Sequence, residues 1–257
     1  MIKIISPFTP TQIDLLQDYC AFSEDIVSQL PAEEHALNSC YFEPQSEYEL
    51  SLLRWENRNL RIQRAFFREF DITPLVAGGL TQIAQDYFKS EIFISQLLYV
   101  RTETPQQERE IFMPHFDKAA IPTITVWIPF VDIDTETGGI CFEESFCSEE
   151  IRRRSETIIH PLTQKRFLQP SVRTGECILF ANNILHGGSS AYSRERFSFD
   201  LRFACADTAR KYNETIDSDF LINARNRYEA KNYSSLPNFR ADQLKHLKQT
   251  ADKLSLV

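Results

Sequence analysis

The segment MPHFDKAA (113–120) sets an imidazole, His115, one residue from a carboxylate, Asp117, just ahead of a strongly apolar run. With five His in the chain, one such pair carries little weight alone, because two solvated loop residues explain it as cheaply. Its weight comes from far downstream. GECILFANNILHGG (175–188) places His186 after an apolar strand and before two glycines. Two neutral imidazoles and one carboxylate can occupy one face of an octahedral metal and leave three positions open, the donor set that suits ferrous iron activating oxygen. Structural zinc sites instead close four positions with Cys and His, and the pattern suggests no fourth ligand.

Ten residues after His186 stands Arg196, in RFSFDLRFA (196–204). Side chains alternate along a strand. Arg196, Ser198, Asp200 and Arg202 therefore share one face, and Phe197, Phe199, Leu201 and Phe203 the other. The aromatic face is expected against helices. The polar face needs partners if it points inward, and a dianion bound to the metal supplies one. Arg196 can grip a carboxylate bidentately and Ser198 can add a hydrogen bond. The charges of a ferrous ion, Asp117, a dicarboxylate and Arg196 cancel, so such a site can close against water. Arg194 and Arg202 compete with Arg196 for this role. Arg202 is equally placed to meet a substrate or to pair with Asp200.

These residues need a rigid frame. Thr9, Pro10 and Gln12 form a capping-box start for a helix of about twenty residues. Ser46 and Glu49 repeat the signal ahead of a second helix, and TPLVAGGLTQIAQDYF (73–88) reads as a third, loosened by Gly78–Gly79. From about residue 92 the period changes. EIFISQLLYVR (91–101), IPTITVWIPFVDI (121–133), GGICFEE (138–144), GECILFA (175–181) and RFSFDLRFA (196–204) read as strands separated by turn signals. Five of the seven glycines lie between 138 and 188, where tight turns between strands call for them. The tail from 206 is polar, with a helix expected near 240–253. The expected architecture is a single domain over 1–257, mainly β with flanking helices (α+β). It has a helical part at 1–90, a sandwich or barrel core at 91–205 and a C-terminal cap at 206–257.

HFD (115–117), TVWIPFVDID (125–134), TGG (137–139), GECILFANNILHGG (175–188) and RFSFDLR (196–202), in that order and spacing, resemble the Fe(II)/2-oxoglutarate-dependent dioxygenases, near the phytanoyl-CoA dioxygenase-like branch. The resemblance spans about residues 92–205. It implies a double-stranded β-helix (jelly-roll, cupin-like) core, with His115, Asp117 and His186 as catalytic iron ligands. Arg196 and Ser198 would hold the far carboxylate of 2-oxoglutarate. Fe(II), 2-oxoglutarate and O2 are the implied cofactors, and succinate and CO2 the co-products. The PGSH that often follows the GG turn in that branch is replaced by GGICFEESFCSEE, a departure from acyl-CoA substrates. Halogenases of similar pattern replace the carboxylate ligand with a small residue. Asp117 is present, so hydroxylation of a small polar metabolite, an amino acid or a biosynthetic intermediate, is favoured. Desaturation, epimerisation or ring formation would use the same cofactors. A cupin-type isomerase or a metal-dependent ligand-binding protein is the alternative of another class, although cupin-type sites usually carry more His.

The mixed face of the second strand, Thr123, Thr125 and Trp127, either lines the cavity or packs in the core. Thr125 with Tyr99 and Gln96 of the preceding strand are further cofactor candidates; Trp127 and Phe112 join Arg202 as substrate candidates. The loop 102–114 leads into the metal pair and is placed as a lid. His160 and His35 lack matching partners and read as structural or exposed, His246 as solvated. Arg152–Arg154 after Glu149–Glu150 read as a solvated ion-pair face.

The net charge of −8 argues against a nucleic-acid footprint. No window approaches a membrane span, and MIKIISPFTPTQID lacks the features of a secretory signal. The six Cys show no metal-ribbon spacing and are expected as reduced, mostly buried thiols of a cytoplasmic protein. The expected partner is a small-molecule substrate. The sequence carries no sign of oligomeric state.

Overall fold

The structure, a computed structural model, describes residues 1–29, 73–76, 79–103, 111–117, 121–160, 163–189 and 196–208; within these, the side chains of 27, 73, 93–103, 112 and 113 lie outside the description. Among the described residues ten strands form two five-stranded antiparallel sheets, a jelly roll. The first has the order β1 (Ile2–Ile5), β8 (Cys177–Ala181), β4 (Thr123–Pro129), β10 (Arg196–Cys205) and β2 (Ile92–Glu103). The second runs β3 (Ile111–His115), β9 (His186–Ser189), β5 (Ile140–Glu143), β7 (Arg166–Pro170) and β6 (Ser155–Ile159).

Three N-terminal helices cover the outer face of the first sheet. Helix α1 (Pro10–Ser28) begins where the capping box predicts. The Thr9 backbone N–H donates to Gln12 Oε1 at 2.9 Å, and the Gln12 N–H returns to Thr9 Oγ1 at 3.4 Å. Of the third expected helix the described residues form α2 (Thr73–Val76) and α3 (Gly79–Phe88). A side chain at Gly79 would sit 2.7 Å from the Pro7 carbonyl oxygen, so the close approach of backbone to backbone needs glycine there. Leu16, Tyr19, Leu75, Val76, Leu80 and Ala84 pack on Ile124, Val126 and Ile128 of β4 and on Phe197, Phe199, Leu201 and Phe203 of β10. Each buried Leu, Ile, Val or Phe among these contributes about 1.5–3 kcal/mol. This is the aromatic face of 196–204 meeting helices, as alternation requires.

A second core lies between the sheets. Trp127, Ile178 and Phe180 of the first sheet meet Ile140, Phe142 and Leu168 of the second. Five strands, β1, β3, β6, β7 and β9, come from stretches that carry no clear strand signal. Two of them correct specific expectations. Residues 2–5 pair with β8 instead of only preceding a helix, and Gly187–Gly188 lie within β9, between β3 and β5, instead of in a turn. Gly138 and Gly175 take positive φ, +63° and +92°; ahead of Gly138, Asp134 Oδ1 accepts the N–H groups of Glu136 and Thr137 at 2.9 and 3.0 Å.

Of the expected loop 102–114, residues 102–103 end β2 and 111–114 belong to β3, while 104–110 lie outside the described residues. The expected second helix, the tail helix, His35, Cys40 and His246 also lie outside them. Cys20, Cys141, Cys147 and Cys177 are buried free thiols. His160 is buried and structural, its Nδ1 accepting from the Thr163 N–H at 3.2 Å. Arg153 pairs with Glu149 on the surface, whereas Arg152 and Arg154 turn to Glu144 and Glu176. Among the described residues no helix is long and apolar enough to cross a membrane.

Candidate active site

Antiparallel pairing of β3 with β9 sets His115 directly opposite His186, with ring centroids 4.6 Å apart. Asp117 follows two residues beyond the end of β3, on chain that has left the sheet. One donor atom from each of the three residues lies within 4.8 Å of the others. Asp117 Oδ1 stands 3.9 Å from Nε2 of both imidazoles. A first-row divalent cation at about 2.1 Å from each donor holds neighbouring donors about 3 Å apart, so closure of about 1–2 Å would seat one.

The three differ in environment. The side chains of Asp117 and His186 are 2% and 7% exposed, that of His115 53%. The group is thus rooted in the core and open on one side. The Nδ1 of His186 lies 2.9 Å from the Ile184 carbonyl oxygen. The carbonyl can only accept, so Nδ1 carries the proton and Nε2 presents a lone pair to the centre. Burial pulls the His186 pKa down to about 4, against the opposing pull of Asp117 and of the Ile184 bond. At neutral pH the imidazole is uncharged, the form that binds metals. Phe180 and Phe142 back it, with ring centroids 4.7 and 6.3 Å away. Asp117 is held from both sides. Thr125 donates to its Oδ2 at 3.2 Å, and Arg202 donates to its Oδ1 at 2.5 Å.

The polar face of β10 turns into the same cleft. Its lining includes His115, His186, Thr125, Trp127, Phe180, Arg196, Asp200 and Arg202, and its empty space, counted out into the open mouth, is about 450 Å³. Arg196 is 3% exposed. Its Nη1 donates to the Ser189 carbonyl at 3.0 Å. Ser189 is itself fixed: its Oγ accepts from the Gly139 N–H at 2.8 Å and donates to Gln169 Oε1 at 2.6 Å. Ser198 Oγ is buried without a hydrogen-bond partner among the described residues. A buried cation in the cleft wall and an orphaned hydroxyl two residues along the same face suit a carboxylate ligand.

No protein-family model matches the sequence, and no curated protein does. Solved structures do. AviO1 from Streptomyces viridochromogenes Tue57 is similar with a TM-score of 0.50 at 12% identity, over 80% of this chain and 90% of that one. EctD from S. alaskensis, with 2-oxoglutarate and 5-hydroxyectoine, gives 0.47 at 13% identity over 80% and 73%. SnoN, a non-heme alpha ketoglutarate dependent epimerase from nogalamycin biosynthesis, gives 0.46 at 13% over 80% and 76%. The likeness to AviO1 is one of fold.

The structure thus brings together His115, Asp117, His186, Thr125, Trp127, Arg196 and Arg202. Thr125 and Arg202 reach the centre through Asp117. Tyr99 and Gln96 fall on β2 opposite Asp200 and Arg202, where the pairing register shifts, and Phe112 pairs with Gly188; their side chains lie outside the described residues. Sequence reasoning missed the Gln169–Ser189 bracket behind Arg196. Nothing marks Gln169 in the sequence, since its role arises only when β7 and β9 lie in one sheet.

Proposed function

We propose that the protein is a non-haem Fe(II)/2-oxoglutarate-dependent oxygenase that hydroxylates a C–H bond of a small polar metabolite, releasing succinate and CO2. The observation that carries this reading is the two-His-one-carboxylate cluster opening onto a cleft whose wall holds a buried arginine. Zinc chemistry of the structural kind would want a fourth donor, and among the described residues the metal-ligand cluster has three members.

His115, Asp117 and His186 would hold the iron. Arg196 and Ser198 would take the distal carboxylate of 2-oxoglutarate, which satisfies the Ser198 hydroxyl. Iron and 2-oxoglutarate, when bound, supply oxygen activation coupled to oxidative decarboxylation. The chain's own residues supply geometry. Ile184 fixes the tautomer of His186, and Thr125 turns the Asp117 carboxylate so that Oδ1 faces the imidazoles. Trp127, Phe180 and Ile140 wall the cleft and keep water from the reacting face. Trp127, with Phe112, is the candidate for substrate contact.

The test is an anaerobic titration with Fe(II) and then 2-oxoglutarate, followed by its visible charge-transfer band. The band is expected in the wild type and lost in His115→Ala and Asp117→Ala, together with iron-dependent succinate release. A wild type that binds metal but shows no band with 2-oxoglutarate would move the reading to an isomerase or ligand-binding protein. Screening metabolite mixtures for stimulated succinate release then finds the substrate.

A further inference from the structure

Asp117 has two oxygens with different neighbours. Oδ2 accepts from Thr125. Oδ1 is the oxygen that faces both imidazoles at 3.9 Å, and it is the one to which Arg202 donates at 2.5 Å. The guanidinium therefore sits on the atom a metal would claim. The carboxylate is almost fully buried and the guanidinium largely so. A buried carboxylate needs a cation, and without metal Arg202 is that cation.

We propose, on the reading of His115, Asp117 and His186 as a metal site, that Arg202 is a resident counter-cation that the metal displaces from Asp117. A guanidinium and a divalent ion on one carboxylate oxygen repel each other across a poorly screened gap. Binding of the ion breaks the Arg202–Asp117 bond, and the carboxylate exchanges one cation for another without ever being buried alone. Arg202 already lines the cleft next to Asp200 on the same face of β10. On displacement its guanidinium would turn along that wall, away from the donors. The metal-free protein is thereby kept folded, at the expense of metal affinity. The opposite role is a standing support, in which Arg202 stays on the carboxylate and stiffens it for the metal, as partners of metal ligands commonly do. The two roles differ in sign. Loss of a competitor raises metal affinity; loss of a support lowers it.

The experiment compares wild type with Arg202→Gln in the full chain, using Mn(II) alone as the probe. Affinity is read by the loss of the free-ion EPR signal, and stability by thermal unfolding with and without Mn(II). Arg202→Gln is expected to bind Mn(II) about tenfold more tightly, the scale of one charged hydrogen bond removed from competition. Its metal-free form should melt lower, and its Tm should rise more on metal addition than that of wild type. If Arg202→Gln does not fold without metal, Arg202→Lys, which keeps the charge but not the fork, is expected to bind a few-fold more tightly. Weaker Mn(II) binding in a folded Arg202 variant, or unchanged affinity, overturns the exchange. Wild-type protein that binds no Mn(II), or binds it equally after His186→Ala, instead sinks the metal site itself.

Discussion

Replacing Arg196 with Met removes the guanidinium and keeps most of the stem volume, so it isolates the anchoring role. A planar fork meeting a carboxylate makes two charge-assisted hydrogen bonds, each worth about 1.5–3 kcal/mol. Arg196 is 3% exposed, so water screens it little. Its Nη1 is already tied to the Ser189 carbonyl at 3.0 Å, so little rotamer freedom remains to be lost on binding. Desolvation of the ligand carboxylate takes back part of the gain, leaving about 3 kcal/mol, which corresponds to a roughly hundredfold rise in the Kd for 2-oxoglutarate. The assay is the anaerobic charge-transfer titration at saturating Fe(II), with Fe(II) affinity measured separately. A guanidinium is a donor with no lone pair to offer a metal, so metal affinity should hold. Arg196→Lys keeps the charge on a single point and should fall between Met and wild type. A Kd for 2-oxoglutarate near wild type in a folded Arg196→Met protein refutes the assignment and moves the anchor to another arginine. Loss of metal affinity in step with 2-oxoglutarate affinity would instead show that Arg196 shapes the cleft as a whole.

Ser198→Ala should act with opposite signs on stability and binding. Removing a buried hydroxyl that has no partner among the described residues is expected to stabilise the ligand-free fold by up to about 1 kcal/mol in urea unfolding, while 2-oxoglutarate binds about fivefold more weakly. Phe199→Ala empties the helix-facing core, where the ring packs on Tyr19 and Phe130 at centroid distances of 5.8 and 4.8 Å; a loss of about 3–5 kcal/mol in urea unfolding is expected. Gly175→Ala strains a backbone at φ +92° and brings Cβ to 2.8 Å from Ile13 Cδ1, so the urea midpoint should fall by the equivalent of about 1–3 kcal/mol.

The parts of the fold legible in the sequence are those whose local chemistry already favours their final state. Strands β4, β8 and β10 are apolar or strictly alternating runs of β-branched and aromatic residues, and α1 announces itself through Thr9 and Gln12. The missed strands take their conformation from partners. IFMPH ends in a proline and a histidine, yet β3 forms because β9 offers hydrogen bonds. HGGS looks like a turn, yet it pairs on both sides. SETII is an edge strand with mostly exposed residues, so it lacks the apolar face that betrays a buried one. The site divides in the same way. Imidazole, carboxylate and guanidinium are recognisable by type, and alternation alone places Arg196 and Ser198 on one face. Alternation alone leaves Arg202 equally placed for substrate or Asp200. Its contact with Asp117 crosses 85 positions and depends on how β10, β4 and the end of β3 come to lie together.

One strand explains why a fold can hold such a cluster. Between β4 and β2 in the sheet order, β10 gives four side chains to the helix-facing core, all essentially buried. Its other face carries Arg196, Ser198, Asp200 and Arg202, and buried charges and an orphaned hydroxyl on that scale tend to destabilise. The two faces are linked by one backbone, so apolar burial on one side offsets polar burial on the other. Register makes the link rigid: a slip of one residue against β4 would send the arginines into Leu16 and Tyr19 and the phenylalanines into the cleft. The strand is therefore held in place by its apolar half, and the polar half is free to be arranged for chemistry. A consequence separates stability from chemistry along a single element: substitutions at 197, 199, 201 and 203 should move unfolding midpoints, while those at 196 and 198 should move ligand affinity with far smaller effects on the fold.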